Sequence, residues 1–328
     1  MSDAFASTAD LKSFDVSKHV NYTLGMVLGV ADFNQEFAYL SGRTRWLARD
    51  AVGYGTLCGL AVTLDTAGSK KGPRVVVSAG TAILPNGQLV CVKPNQCAFL
   101  NDWLAANPKE LDGLTSPATL PLDVVLCYRD CAVDPVAVPG EPCRTESELT
   151  APSRLADSFS LELRRTPPVQ LEDDLVRDFV TWLRLIPTAK VGPFSTPEDV
   201  GQALRAALRT SGSPIDSMHI DVASPPALKV DVTRTGDAFA AALRVWITEI
   251  RPHVHPICPG GCGCCTDQAP PREEEPDECL LLAQLDVPIV QVPGGWEASD
   301  VTKVVKREER RPLLAPMRLQ QEWLQSLR

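Results

Sequence analysis

The sequence predicts an α+β protein: an N-terminal domain of one helix and a small sheet, interrupted by a mostly helical insertion, then a Cys-rich loop and a C-terminal strand and helix. Strand-like runs cluster at 55–92. Two buried-type runs, 122–128 and 280–287, lie on either side of residues 171–251, whose apolar spacing is largely helical. A length of 328 residues also exceeds the usual size of one hydrophobic core.

The first helix is predicted over residues 31–50. Its apolar residues recur near one helical face, and they are Phe33, Phe37, Leu40 and Leu47. Asp32 is a residue type that caps helix N-termini, and Gly53 is one that follows helix ends. We therefore expect a helix of about 16 to 20 residues.

The next residues predict a small sheet packed on a helix. Apolar and β-branched residues predict strands at 55–64 and 74–78, and the Asn86-Gly87 pair predicts a tight hairpin turn before a strand at 88–92. A short helix is predicted from Phe99 to Leu104. The continuous apolar run 122–128 is typical of a buried strand.

Residues 130–154 interrupt this pattern. They contain four prolines and little periodicity, which predicts a long ordered loop or an excursion between elements. Loops of this length are usually functional or disordered.

Helical spacing follows. Residues 171–186 place apolar side chains inward, namely Leu175, Phe179, Trp182 and Ile186. Thr196 as N-cap and Pro197 at the first position open a second helix, and 237–251 supply a third. The acidic stretch 271–277 then precedes a strand at 280–287, and 311–328 predict an amphipathic helix.

These elements predict the domain organisation. The α+β domain covers 1–165, the helical insertion or second domain 166–256, and the Cys-rich loop 257–279, while 280–328 return to the first domain. Because the runs 122–128 and 280–287 flank the helical block and have no other evident partner, we predict that they lie in one sheet.

Composition limits the partners. A net charge of −9 disfavours nucleic acid, whose binding depends on clustered Lys and Arg. No run reaches the roughly 18 apolar residues of a membrane span, and residues 1–20 lack the basic and apolar regions of a leader, so a cytoplasmic location is expected. The eleven cysteines are accordingly expected as thiols or metal ligands rather than as a disulfide framework.

The stretch Cys258-Pro-Gly-Gly-Cys-Gly-Cys-Cys265 places four cysteines within eight residues, near His253, His255 and Cys279. Zinc takes four tetrahedral nitrogen or sulfur ligands, and glycine and proline permit the turns of a closed site. Because the spacing matches no paired C-x-x-C pattern, three hypotheses stay open: a structural zinc, reduced thiols, or disulfides formed after export.

The first-choice zinc ligands are Cys258, Cys262, Cys265 and Cys279, with His253, His255, Cys264, Cys131 and Cys143 as alternates. Such a zinc would hold together a loop that has few apolar residues. If the two buried runs share a sheet, Cys279 approaches Cys127 and Cys131, and the cysteines form one cluster.

No catalytic or cofactor-binding residues are predicted. The sequence contains no G-x-S-x-G, no G-x-x-x-x-G-K-[ST], no H-E-x-x-H, and no G-x-G-x-x-G after a strand.

Four blocks carry a resemblance. Residues 21–33, followed by 36–40, and residues 53–60 are similar to a "G-x-x-L-x-x-x-D-F" entry and a "G-x-G-x-x-x-G-L" strand, and residues 77–87 are similar to a "V-x-x-G-x-A-I/L-D-x-x-G" hairpin. Residues 139–144 with 151–154, and 311–314, complete the set. In these blocks the chain resembles an uncharacterised bacterial family whose genes lie among contractile injection system or phage-tail-like clusters.

The resemblance implies a structural part of a baseplate or fibre attachment and carries no catalytic residues. Where an acidic residue is common in the family hairpin, this chain has Leu84-Pro85, so no ion or contact held there is implied.

We therefore expect a non-enzymatic structural or assembly component of a contractile injection or tail-like particle. It would bind other particle or baseplate proteins, be oligomeric in the assembly and be released as part of the particle. Two alternatives stay open: a zinc-dependent or thiol-based enzyme that uses the 253–279 loop, and a surface or carbohydrate-binding adhesin whose long loops form the binding face. An enzyme would bring thiol, imidazole and acid together in a pocket, whereas a structural part would expose apolar patches.

Overall fold

A computed structural model describes residues 16–65, 72–137, 150–210, 218–254, 279–298 and 300–326, and its fold is α+β, as predicted. The chain divides into two compact units. We call Ala48–Phe179 with Glu273–Arg328 the sheet unit, and Met1–Leu47 with Val180–Arg272 the helical unit. The first helix thus groups with the later helices and not with the small sheets.

The described strands are β1 Gly55–Gly59, β2 Val62–Asp65, β3 Arg74–Val77, β4 Gly80–Ile83, β5 Leu89–Val92, β6 Gln96–Phe99, β7 Ala118–Ala137, β8 Thr150–Arg164, β9 Thr188–Ala189, β10 Leu208–Thr210, β11 Met218–Ile220, β12 Val230–Asp231, β13 Leu280–Val292, β14 Gly295–Glu297 and β15 Val305–Arg307. The described α-helices are α1 Val30–Leu47, α2 Leu100–Ala106, α3 Leu171–Leu185, α4 Pro197–Ala207, α5 Thr235–Val245, α6 Arg251–Val254 and α7 Met317–Ser326. Further turns are π-helical at Ala48–Val52 and Trp246–Ile250 and 3₁₀ at Pro108–Leu111 and Val301–Lys303.

The centre of the sheet unit is a five-stranded sheet. Its order is β14-β13-β7-β8, and β15 also pairs with β13. The antiparallel pairing of β13 with β7 runs from Leu280 opposite Leu126 to Ile289 opposite Ala118. The prediction that these two runs share one sheet is therefore confirmed, and the residues between them leave and re-enter the sheet unit.

The core of this unit is built from one face of that sheet, the two small sheets and α2. The sheet contributes Leu120, Leu122, Val124, Leu126, Leu280, Leu282, Leu285, Val287 and Ile289. An irregularity between Leu281 and Ala283 shifts the register of β13, and the side-chain amide oxygen of Gln170 accepts a hydrogen bond from the Leu281 N–H. At such an irregularity one strand has an extra residue, and the strict alternation of inward and outward side chains is interrupted, which explains why the apolar run at the start of β13 is continuous.

The predicted strand 55–64 is two strands in two different sheets. β1 pairs with β4 and β5, whereas β2 pairs with β3 and β6. The chain turns between them at Gly59 and Leu60, whose φ angles are 65° and 56°. A Cβ on Gly59 would lie 2.1 Å from the Ala79 carbonyl oxygen, so only glycine fits this approach. The predicted Asn86-Gly87 turn between β4 and β5 is confirmed, with Gly87 at a φ of 83°.

Residues 308–314 are docked on β1. Thr56 donates its N–H to the Pro312 carbonyl (3.0 Å) and accepts from the Leu314 N–H (2.9 Å). A Cβ on Gly55 would lie 2.9 Å from the backbone carbon and oxygen of Pro312. Two of the blocks that carry the family resemblance, 53–60 and 311–314, are therefore in direct contact.

We call the contact between residues 308–314 and β1 the joint, and the buried side chain of Arg311 holds it together. Only 8% of its surface is exposed, and its guanidinium donates to Thr56 Oγ1 (3.0 and 3.1 Å), to the Gly59 carbonyl (3.3 Å) and to Glu308 Oε1 (3.0 Å). A buried guanidinium needs such partners, because an unpaired buried charge is costly.

The first turn of α3 is acidic, with Glu172, Asp173 and Asp174 in sequence, and all three are partly buried. Asp173 donates its N–H to the Tyr54 hydroxyl oxygen (3.2 Å), and its carboxylate pairs with Arg177. Burial raises the pKa of Asp173 to about 6; Arg177 opposes that rise and neighbouring Asp174 adds to it. Arg310 donates to Asp174 (2.6 Å), which ties this helix to the C-terminal segment.

The predicted first helix is confirmed as α1 of the helical unit. The π-helical turn Ala48–Val52 and Gly53 follow it in the chain and belong to the sheet unit. Asp32 is not the N-cap: it lies in the first turn and accepts the Gly29 N–H through Oδ2 (2.8 Å). The capping box of Thr196 and Asp199 at α4 is confirmed, with Pro197 in the first turn. Helix α4 packs against α5, and Arg205 forms a bidentate ion pair with Glu249 (2.6 and 2.7 Å).

Candidate functional site

The pairing of β7 with β8 continues well beyond the end of β13. From Cys127 opposite Ser160 to Ala137 opposite Thr150, these two strands pair with one another and with no other strand that the structure describes. We call residues 127–137 and 150–160 the arm. At about 3.3 Å per residue, the arm is roughly 35 Å long. Its outer residues are exposed along most of both strands.

The loop prediction for residues 130–154 was wrong for 130–137 and 150–154, which are strands. Proline argued against strands there, but Pro135 and Pro152 face each other in a two-stranded ribbon, where each strand has a free edge that needs no donor. Asp134, with a φ of 54°, accepts hydrogen bonds from Ser153 Oγ at its carbonyl and from Arg154 at its carboxylate, both 2.7 Å. These bonds replace part of the ladder that the prolines cannot make.

One face of the arm carries exposed apolar side chains towards its outer end. Side chains alternate along a strand, and the register places Ala132 opposite Leu155, with Val136 further out on the same face. Leu155 is 67% exposed and Val136 is also exposed.

The inner end of this face is acidic. The Tyr128 hydroxyl lies 2.6 Å from Asp130 and 2.7 Å from Asp157, which face each other across the ladder. Burial, together with these hydrogen bonds, raises the pKa of Tyr128, so the phenol keeps its proton and can donate it.

A disulfide lies at the base of the arm. Cys127 and Cys279 are bonded, with Cα atoms 4.4 Å apart, next to the Leu126–Leu280 pair that begins the β7–β13 ladder. The predicted approach of Cys279 to Cys127 is confirmed. The expectation of thiols or metal ligands was wrong for this pair, which forms a disulfide in the structure. The zinc set of Cys258, Cys262, Cys265 and Cys279 stays a prediction, because three of its members lie outside the described residues.

An arginine links the disulfide to the arm. Nη2 of Arg164 lies 3.4 Å from both sulfurs, and its Nε donates to Glu162 (2.9 Å). Glu162 also accepts from Ser160 Oγ (2.9 Å) and from Arg129 (3.2 Å). Burial alone would raise the pKa of Glu162, but these hydrogen bonds outweigh it and lower the pKa. The ionised carboxylate therefore holds both arginines against the root of the arm.

The other predicted zinc ligands are separated or lie outside the described residues. Cys131 is an exposed free thiol on the arm, and His253 is exposed at the end of α6. The remaining candidates, Cys143, His255, Cys258, Cys262, Cys264 and Cys265, lie outside the described residues. Within the part of the chain that the structure describes, no three His, Cys, Asp or Glu side chains form a group that could hold a metal ion.

Sequence reasoning missed the arm and the role of Arg164. The signal for the arm was weak: Val133 and Val136 favour strands, but the neighbouring prolines outweighed them. No signal singled out Arg164, because its significance depends on two cysteines that are distant in sequence.

No protein-family model matches this chain, and no curated protein matches it by sequence. No helix among the described residues combines the length and apolar character needed to cross a membrane.

Proposed function

We propose that the chain is a non-catalytic assembly component and that the arm is the surface through which it binds a neighbouring protein. In line with the family resemblance, that neighbour is a baseplate or fibre protein of a contractile injection or tail-like particle. The observation that carries the proposal is a ribbon of roughly 35 Å that extends past the last pairing of β13 with β7 and exposes an apolar face.

An isolated two-stranded ribbon has little stability of its own in water, since it needs a third strand or a packing partner. Its free edges can accept another strand, and its apolar face can pack on one. Leu155 is the natural anchor, because it is the largest and most exposed apolar side chain on that face. A neighbouring protein would supply the third strand or the packing surface that this ribbon lacks.

The base of the arm supports the same proposal. The disulfide and the Arg164–Glu162 network hold its root in one geometry, which lowers the entropy that binding would otherwise cost. The disulfide also supports release with the particle from the cytoplasm, because disulfides persist in oxidising surroundings.

The test is incorporation into the parent particle. Tagged wild-type chain and Leu155→Asp are expressed in cells that make the particle, and the copies per purified particle are counted by quantitative mass spectrometry. We expect Leu155→Asp to lower incorporation at least about tenfold, because a charge would replace a leucine that becomes buried on binding.

Val169→Asp is the matched control. Val169 is 64% exposed, an exposed fraction similar to that of Leu155, but it lies outside the arm. Its incorporation should equal that of wild type, and thermal unfolding should be unchanged in both variants. Particles without the chain, or equal incorporation of Leu155→Asp, would refute the proposal.

A further inference from the structure

Helix α1 exposes a continuous apolar seam. The seam consists of Val30, Phe33, Phe37, Leu40 and Leu47, each between 57% and 77% exposed. With Thr44 between the last two, the positions alternate in steps of three and four residues, which is the spacing of a coiled-coil interface. No residue of α1 is buried. An 18-residue helix with such a seam is unusual unless another surface covers it.

Residues 16–20 of the same chain contact α1 on the side away from the seam and along the flank that bears Glu36. The Val20 N–H donates to Glu36 (3.0 Å), and Gln35 donates to the Lys18 carbonyl (2.5 Å). The His19 ring packs on Tyr39 with centroids 5.1 Å apart. Residues 16–20 thus hold one side of the helix in place and leave the seam on the other side bare.

The charges beside the seam fit a second copy of the same helix. Glu36 and Arg43 lie seven residues apart on one flank, while Asn34 and Ser41 occupy the other. In an antiparallel two-fold pair, Phe37 lies opposite the partner's Leu40, and Glu36 approaches the partner's Arg43 twice by symmetry. A parallel pair would instead place Glu36 near an uncharged serine. The charge pattern therefore selects the antiparallel arrangement.

The area is sufficient for a dimer. Scaling the observed exposures by full side-chain areas of about 150–200 Å² gives roughly 500 Å² of apolar surface per copy, and a pair would bury roughly 1,000 Å², the size at which specific interfaces begin. An open depression of about 340 Å³ lies beside Phe37, lined also by Val16, Asn34 and Ser41. It offers room for a side chain of the second copy.

We infer that the chain forms a homodimer through antiparallel pairing of two α1 seams. This interface does not involve the arm and does not depend on the proposed function. Phe37 and Leu40 form its centre, and the two Glu36–Arg43 pairs fix its direction. The association is of modest strength, with dissociation in about the micromolar range, because the interface is small.

Sedimentation velocity of the full-length chain from about 1 to about 100 µM tests the inference. Wild type is expected to shift from monomer to dimer, whereas Phe37→Asp and, as a second seam variant, Leu40→Asp remain monomeric with unchanged circular dichroism. Leu155→Asp on the arm should dimerise as wild type does, which separates this interface from the arm.

A charge exchange tests the direction. Glu36→Arg and Arg43→Glu each place like charges opposite one another in their own dimer, and each should weaken dimerisation about tenfold. Mixed together, the two variants form a heterodimer in which both pairs are again complementary, and wild-type affinity should return. A wild-type chain that stays monomeric, seam variants that still dimerise, or a mixture that does not recover would overturn the inference.

Discussion

Replacing Arg311 by methionine should release the C-terminal segment from β1. Methionine keeps most of the aliphatic volume and removes the guanidinium. The substitution therefore deletes the hydrogen bonds to Thr56 Oγ1, the Gly59 carbonyl and Glu308 without opening a large cavity.

The loss in the free energy of unfolding follows from the hydrogen-bond partners that Arg311 leaves without a donor. The buried Thr56 hydroxyl loses both of its hydrogen bonds from a charged donor, and such bonds contribute about 1.5–3 kcal/mol each. Gly59 is exposed, so water can replace the donor at its carbonyl. The Glu308 side chain is 36% exposed and can be hydrated, so its pair adds little. We therefore expect a loss of about 3–5 kcal/mol in the free energy of unfolding of the sheet unit.

Urea unfolding followed by circular dichroism measures the loss, and amide hydrogen exchange localises it. The Thr56 N–H, bonded to the Pro312 carbonyl, should lose protection, while the core amides of β7 should not open before global unfolding. Arg307→Met is the matched control. Arg307 is half exposed and pairs with Asp286 at the surface, so its removal should cost less than about 1 kcal/mol.

A double-mutant cycle with Thr56→Val isolates the central contact. The two substitutions should couple by about 1–3 kcal/mol, because each removes the same pair of hydrogen bonds. Additive effects, or a loss in Arg311→Met no greater than in Arg307→Met, would show that Arg311 does not hold the joint.

Three further predictions concern the sheet unit. Gly55→Ala should lose roughly 1–3 kcal/mol in thermal unfolding, because its Cβ meets backbone atoms at 2.9 Å; Gly113→Ala, also at positive φ (81°) but with open space around it, should lose less. Burial raises the pKa of Asp173 from 3.8 to about 6, so its favourable contribution to the free energy of unfolding is full below about pH 4 and is lost as the pH rises through 6. Asp173→Asn should therefore flatten the slope of the unfolding free energy against pH between pH 4 and 7 and recover up to about 3 kcal/mol at pH 7. An unchanged slope would contradict this. Replacing both Cys127 and Cys279 by serine should cost about 5 kcal/mol, since the bond closes a separation of 152 residues, and thiol titration of the denatured wild type should find no more than nine of the eleven cysteines free (11 − 2 = 9).

Much of the fold was predictable wherever a local signal and the tertiary structure agree. The Asn86-Gly87 hairpin, the Thr196 capping box and the partnership of 122–128 with 280–287 all rest on short patterns that the structure preserves. The break at Leu60 was not predictable from pattern. A buried leucine at positive φ is held there by the surrounding sheets and not by its own preference.

The site was less predictable, for two physical reasons. Periodicity identified the face of α1 that bears Phe33 and Phe37, but periodicity cannot say whether an apolar face meets its own core or another molecule. Pro135 and Pro152 indicated a loop, because proline cannot donate a hydrogen bond within a central strand. Both strands of the arm are edge strands, where proline is tolerated. The cysteine pairing became visible only once the two buried runs were assigned to one sheet.

The adjacency of β7 and β13 has a consequence for synthesis on the ribosome. At about 5–20 residues per second, roughly eight to thirty seconds separate the emergence of Cys127 from that of Cys279, which begins the segment that pairs beside it. Throughout that interval the edge of β7 from Ala118 to Leu126 lacks its neighbour. An unpaired apolar edge is a template for pairing with other nascent chains. Slow translation between these two cysteines should therefore raise the aggregated fraction of newly made chain.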